Sequence, residues 1–445
     1  MRKRLLGLRD WRNYLLPLLM LLTVAVTTGA LAWSYANDNI VLYSDAVTHL
    51  QIARRVVDNI TPGAAQLGTS WLPLRHVLEL PFIWNDHLWH SGLAGGIVST
   101  VAAWGTVFFA FRLGEDLSGS KFVGFVVALL VLSNPNLLYM QTTPMNESLF
   151  ICTILGSAHY LVRWATDYRD RDLVLAGLFG LATAFNRYEG WALILAQAVV
   201  VAIIAWRRGG WEAGEGLGLA YASLAGLAPL LWFAWNWVLF GSPFDFLTNS
   251  SSSRSNVGFV MQETAAALPG GVLPTERDLA ADFHYYGLAV YHMMGPIVCF
   301  AAIVGGTYVL WQLVSRRGDL KLLALLSLAA PGLFTIYALY SGSAVIWVKE
   351  LPPHGFFDVR YGLYLFPLMA GLVALLGRLP YGKLLVSAVL VAQLALLSTG
   401  MSVVAFEEPQ LDEAGCAPRV GSASGQCVAL TGAPQYLREN YDGGR

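Results

Sequence analysis

Charge is scarce in this chain. Asp, Glu, Lys and Arg together make 13% of its 445 residues, where a soluble globular protein carries about 25%. So few charges cannot cover a water-facing surface of this size, so lipid must cover much of it. The net charge is -1, and no run of Lys or Arg forms a basic patch. That excludes an electrostatic footprint for nucleic acid. Cysteine is scarce too, with four in all. Cys152 and Cys299 stand inside apolar runs, as small core residues do. Cys416 and Cys427 stand in a polar tail, where pairing them would need an oxidising compartment. The sequence has no glycine-rich phosphate loop ahead of a helix, no Cys-x-x-Cys and no nucleophile-elbow serine. It has no repeat of fixed period and no stretch that reads as a soluble domain.

What the chain does have is apolar length. Hydrophobic residues make 56% of it, with 15 Trp and 19 Tyr to anchor at two wet interfaces. A spanning helix needs about 20 mostly apolar residues. The runs predict an all-α integral membrane protein with about eleven transmembrane helices. They fall near 13–35, 91–111, 121–139, 147–165, 172–186, 190–206, 217–240, 285–315, 320–341, 361–378 and 383–405. The basic start, Met1-Arg-Lys-Arg, followed by a run long enough to span, reads as a retained anchor. With the N-terminus inside and the spans alternating, the short inside segments hold 17 of the 28 Lys and Arg, as the positive-inside rule expects. The reading is a plasma (inner) membrane protein with a cytoplasmic N-terminus. Residues 1–405 form one transmembrane domain, and 406–445 a short outer-face tail. In the first outer loop, 36–90, prolines bound two stretches, 46–57 and 74–84. Each predicts a short helix with one apolar face, lying flat at the interface.

Most of the acidic residues fall outside, and a few stand where chemistry could use them. Asp45 follows the first span, where a carboxylate can accept a proton from a hydroxyl or hold a divalent metal. Solvated loop acids are also common. Glu147 opens the fourth span. An acid there suits the helix N-terminus, and with Asp45 it could form a two-carboxylate site. Arg187 and Glu189 flank Tyr188 between two apolar runs. Ionisable residues at membrane depth carry function by default, although a pair at a hairpin tip needs none. Arg360 and Tyr361 open the tenth span, where an arginine can grip a phosphate. Arg254, on a serine-rich loop, is a second candidate for that role. His49, Arg54, Glu189 and His354 are candidates for the acceptor side of the pocket. His87 and His90, one helical turn apart, match half of a metal site.

These motifs come in a particular order. The acid sits at Ser44-Asp-Ala46 after the first span. Then come Pro144-Met-Asn-Glu-Ser-Leu-Phe150, Arg187-Tyr-Glu-Gly-Trp191, Gly241-Ser-Pro-Phe-Asp-Phe246 and Val359-Arg-Tyr-Gly-Leu-Tyr-Leu-Phe-Pro367. Over roughly residues 10–375 the chain resembles the GT-C superfamily of polytopic glycosyltransferases, on the side of the protein mannosyltransferases and aminoarabinose transferases. The resemblance implies transfer of a sugar from a polyprenyl-phosphate carrier to an acceptor hydroxyl on the outer face. The acceptor could be a lipid, a glycan or a protein. Asp45 would be the general base of an inverting displacement, with Glu147 as the second catalytic acid. Arg360 and Tyr361 would sit at the donor phosphate, with Arg254 or Arg187 adding charge. Here the first-loop acid is followed by Ala46, where the family often has a second acid. Asn146-Glu-Ser148 stands where relatives carry Glu-Pro. A divalent metal held by Asp45 and Glu147 is therefore left open. The other reading is a multi-pass lipid or solute transporter or flippase, which would place broken helices at the midplane.

Overall fold

The computed structural model describes residues 11–248, 277–315, 319–400 and 402–413. Among these residues the chain is helical and has no strand. One isolated antiparallel bridge joins Trp347 to Phe357. Among the described residues six helices are long and apolar enough to cross a membrane: Leu15–Ala36, Leu93–Ser118, Glu189–Ala225, Pro296–Val314, Lys321–Tyr340 and Val359–Arg378. This is an all-α protein of the multi-pass membrane class. Three shorter apolar helices, Lys121–Leu132, Leu227–Phe240 and Gly382–Ser398, coincide with further expected spans. The last two expected spans fall on Asn146–Asp167 and Asp170–Ala184.

Several boundaries differ from the sequence expectation: the run 121–139, for instance, is Lys121–Leu132 followed by Pro135–Met140, and two other differences show why. The run 285–315 is two helices, Leu279–Met294 and Pro296–Val314, which meet at Gly295 with φ of 80°. Pro296 supplies no N–H to continue the first helix. Glu189–Ala225 reverses at Gly210, where φ is 80° and ψ is -174°. Glycine enters this region at no steric cost. Gly214 and Gly218 then lie against Trp206 and Ala202, on the arm that came before.

The helix Asn146–Asp167 is buried along almost its whole length, against Leu93–Ser118, Asp170–Ala184 and Lys321–Leu326. Protein surrounds it on every side, so it needs no lipid-facing apolar stripe. That is why it can carry Glu147, Ser148, Ser157 and His159 among its buried residues and still be a bundle helix.

The first loop holds the two expected short helices, Ser44–Val57 and Leu74–Ile83, packed against each other. The second is inside out relative to an ordinary amphipathic helix. It buries Arg75, His76 and Glu79, and exposes Val77 and Leu78. Arg75 explains the inversion. Its Nε is 2.9 Å from Glu79 Oε1, and its Nη atoms donate to Met145 O at 2.7 Å, Gly95 O at 2.9 Å and Ser99 Oγ at 3.0 Å. A buried guanidinium is tolerated only with such a set of partners. The contact to Met145 fixes the point at which the Glu147 helix begins.

Candidate functional site

Three chain segments, carrying Asp45, Glu147 and Glu408, converge on Arg360 and its neighbour Asp358. Its Nη2 donates to Asp45 Oδ2 at 2.6 Å and lies 2.7 Å from Asp358 Oδ1. Its Nη1 donates to Glu408 Oε1 at 3.0 Å, and its Nε is 3.4 Å from Glu147 Oε1. The Arg360 side chain is 7% exposed, while that of Asp45 is 40% exposed. Of the four acids around this arginine, Asp45 is the one that meets solvent.

Local sequence explains the convergence. Asp45 lies in the first turn of Ser44–Val57, and Glu147 in the first turn of Asn146–Asp167. An acid is favoured at each place by the exposed N–H groups of the helix start. Asp358 precedes the short helical segment Val359–Leu365 with φ of 50°, a left-handed conformation in a non-glycine residue. Such a backbone costs on the order of 1–3 kcal/mol and persists only where its surroundings hold it. Here the Asp358 N–H donates to Glu408 Oε1 at 2.9 Å. Gly362 lets this segment lie against the helix Leu279–Met294, because a Cβ there would come within 2.5 Å of the Ala289 carbonyl oxygen.

Arg187 is the second cation. It meets both oxygens of Glu189, at 3.1 Å and 3.2 Å, and donates to Glu147 Oε1 at 3.5 Å. Tyr364 OH also donates to Glu147 Oε1, at 3.4 Å. The Arg187 guanidinium faces the rings of Tyr364 at 4.8 Å and Tyr361 at 5.1 Å, while Arg360 faces Tyr43 at 4.9 Å and Tyr361 at 5.4 Å. Tyr361 is therefore flanked by both guanidiniums. Each such ring contact adds up to about 2 kcal/mol when desolvated. The cluster holds five carboxylates (Asp45, Glu147, Glu189, Asp358 and Glu408) and two guanidiniums. Burial pushes the Asp358 carboxyl up to about 6 even beside Arg360.

One turn beyond Asp45 on the same helix, His49 sets its Nδ1 2.9 Å from His76 Nε2, with Trp71 against the His49 ring at 4.3 Å. Burial holds His49 well below the usual imidazole range and His76 down to about 3. Glu79 is raised to about 7 by burial, against the pull of Arg75.

Of the residues expected from sequence, the structure brings Asp45, Glu147, Arg187, Glu189, Arg360 and Tyr361 together, with His49 one turn beyond Asp45 on the same helix. Other candidates lie elsewhere. Arg54 pairs with Asp58 at 2.6 Å and Asp86 at 2.8 Å, and donates to Ile83 O at 2.9 Å, so it ties the first-loop helices together. His354 is exposed, and its Nδ1 meets Lys349 O at 3.0 Å. His87 meets Tyr35 OH at 3.1 Å, while His90 meets Asp86 O at 2.7 Å, so the two rings do not converge. Arg254, Cys416 and Cys427 lie outside the described residues. A metal on Asp45 and Glu147 would have to displace a guanidinium that already faces both. Among the described residues no three His, Cys, Asp or Glu side chains are grouped to hold an ion.

Tyr43, Tyr364 and Glu408 in the cluster, and Arg75, which supports it from the first loop, were not singled out from sequence. Arg75 could have been, as an arginine four positions before Glu79 on a short, largely apolar helix. Glu408 stands in a tail that reads as polar and unstructured. Its only signal is that Glu407 and Glu408 directly follow an apolar run. No protein-family model matches this chain, and no curated protein matches it in sequence.

Proposed function

We propose that the chain is a GT-C-type membrane glycosyltransferase. It would cross the inner membrane eleven times with its N-terminus in the cytoplasm and work on the outer face. It moves a sugar from a polyprenyl-phosphate donor to an acceptor hydroxyl. One observation carries the reading. Asp45, Glu147, Arg187 and Arg360 were each nominated by a separate sequence motif, and they stand together in one partly buried cluster.

The geometry suits an inverting displacement. One oxygen of Asp45 is held by Arg360 and its side chain is the most open of the cluster. In this reading the other oxygen takes the acceptor's proton. As the O–H bond breaks, the acceptor oxygen bonds to the anomeric carbon. The bond from that carbon to the phosphate oxygen breaks, and its electron pair leaves with the polyprenyl phosphate. That leaving group is a weak base, so it needs positive charge more than a proton. Arg360 directs Nη2 to Asp45 and Asp358, and Nη1 to Glu408. In this reading it chiefly orients the base. Arg187, with Tyr361 and Tyr364 against it, carries more of the work at the phosphate.

The test uses purified protein in nanodiscs with a panel of polyprenyl-phosphate sugars, following release of free polyprenyl phosphate. Wild type should release it, Asp45→Asn should not, and a chelator should leave the rate unchanged because a guanidinium occupies the place of the metal. Intact lipid bound tightly with no release from any donor would instead favour a lipid transporter.

A further inference from the structure

The tail helix Val404–Glu413 reaches the same cluster, held by Phe406 against Trp33 and Tyr139, by Lys349 at Glu407, and by three further contacts. Tyr43 OH donates to Ala405 O at 2.7 Å, and the Ala405 N–H donates to Asn136 Oδ1 at 3.0 Å. The third contact is Glu408 itself. Its Oε1 accepts from both the Asp358 N–H and Arg360 Nη1, at 2.9 Å and 3.0 Å. Its side chain is 4% exposed. One oxygen thus holds two parts of a single functional unit. It secures the backbone at the left-handed residue that starts the Arg360 segment, and it secures the guanidinium of Arg360. The Nη2 of that guanidinium then points at Asp45. A tail that merely capped the bundle would need the contacts at Ala405, Phe406 and Glu407 and nothing more.

We propose that Glu408 is a positioning residue for the Asp45–Arg360 pair, so that the tail helix is part of the site. This rests on the glycosyl-transfer reading for its consequence in turnover, but not for its structural content. Asp358 and Glu147 also face Arg360, from their own segments. Glu408 differs from both because it alone also bonds the backbone N–H of Asp358.

The experiment has two arms, both on the full chain in nanodiscs. The first is hydrogen exchange followed by mass spectrometry. Glu408→Ala should speed exchange in peptides covering 357–361 and leave peptides covering 15–36 unchanged. Glu408→Gln keeps an acceptor oxygen and should restore much of the protection. Glu408→Asp draws the carboxylate back by one methylene while keeping its charge, and serves if the alanine variant does not fold. Its exchange at 357–361 should also rise. Unchanged exchange at 357–361 in both the Ala and Asp variants, with faster exchange at 404–413 alone, would make the tail a simple anchor and overturn the proposal.

The second arm is release of polyprenyl phosphate. Displacing a catalytic group by a fraction of an ångström costs tenfold or more, so kcat in the alanine variant should drop by about tenfold with KM within about twofold of wild type. Glu408→Gln should recover most of it. A wild-type kcat in Glu408→Ala also overturns the proposal. If wild type turns over no donor, the glycosyl-transfer reading has failed, and the exchange arm alone decides whether Glu408 positions Arg360.

Discussion

Asp45 Oδ2 and Arg360 Nη2 are 2.6 Å apart across 315 positions of sequence. The pair joins the first loop to the start of a late membrane helix. Its two members differ in setting, for Arg360 is enclosed and Asp45 is open to solvent. In the proposed glycosyl transfer, that asymmetry favours Asp45 as the general base. A general base contributes about 10²–10⁴-fold, so Asp45→Asn should reduce turnover by that range. The fold should survive, since a neutral amide still accepts from Arg360. Steady-state release of polyprenyl phosphate, beside a thermal-unfolding control, checks both halves. Full turnover in Asp45→Asn would remove Asp45 from the mechanism.

Arg360 should matter for stability as well as turnover. It is the cation at the centre of Asp45, Glu147, Asp358 and Glu408. Removing one partner of a buried charge network costs about 3–5 kcal/mol, because the others are left uncompensated. Arg360→Met should therefore unfold well below wild type in nanodiscs. Arg360→Lys should recover only part of that loss, since a point charge cannot serve the fork-shaped set of acceptors. An unchanged melting temperature in Arg360→Met would mean that the acids are neutralised some other way.

Arg187 tests the donor side. A charge-assisted contact is worth about 1.5–3 kcal/mol, so Arg187→Gln should lower kcat/KM by roughly ten- to a hundredfold. Glu189 is its bidentate partner. The double variant Arg187→Gln with Glu189→Gln separates loss of the phosphate contact from the cost of stranding that carboxylate. If the double variant regains wild-type kcat/KM, Arg187 does not touch the donor.

Much of this was readable in the sequence for physical reasons. Spanning helices announce themselves because lipid requires apolar length, and charged residues at their ends stand out against that background. Asp45, Glu147, Arg187 and Arg360 are visible in this way. The helix Asn146–Asp167 is legible as a helix, but its central position is not, since burial by protein and burial by lipid favour similar side chains. Arg54 illustrates a limit of position-based reading. It lies on the same helix as Asp45 but nine positions on, which at 3.6 residues per turn puts it on the opposite face, where its charge is taken up by Asp58 and Asp86. Glu408 was hidden for another reason. A tail of ordinary polarity gives no periodicity to read, and only tertiary contact, with Tyr43, Asn136 and Arg360 among others, gives its helix a place.

The first loop makes a prediction about pH. His49 and His76 are buried against each other, and burial holds both below the ordinary imidazole value of 6.5, His76 to about 3. A base depressed in the folded state contributes stability that is present above its unfolded pKa and lost as pH falls towards the folded one. Acidification from about 6.5 towards about 3 should therefore destabilise the protein, by up to about 1.4 kcal/mol per pH unit for one such imidazole. Glu79 acts with the opposite sign. Raised from 4.5 to about 7 by burial, it contributes stability that is present below 4.5 and lost as pH rises through 7. Between 7 and 4.5 the two effects oppose each other, and below 4.5 only the imidazole effect continues. The clean comparison is therefore the melting temperature of wild type against His76→Gln between pH 4.5 and 3.5. Other carboxylates titrate there in both proteins and cancel in the difference. The wild-type curve should fall more steeply, because its buried imidazole must charge and the glutamine cannot. Parallel curves would mean that the pair is already charged, or already solvated, in the folded protein.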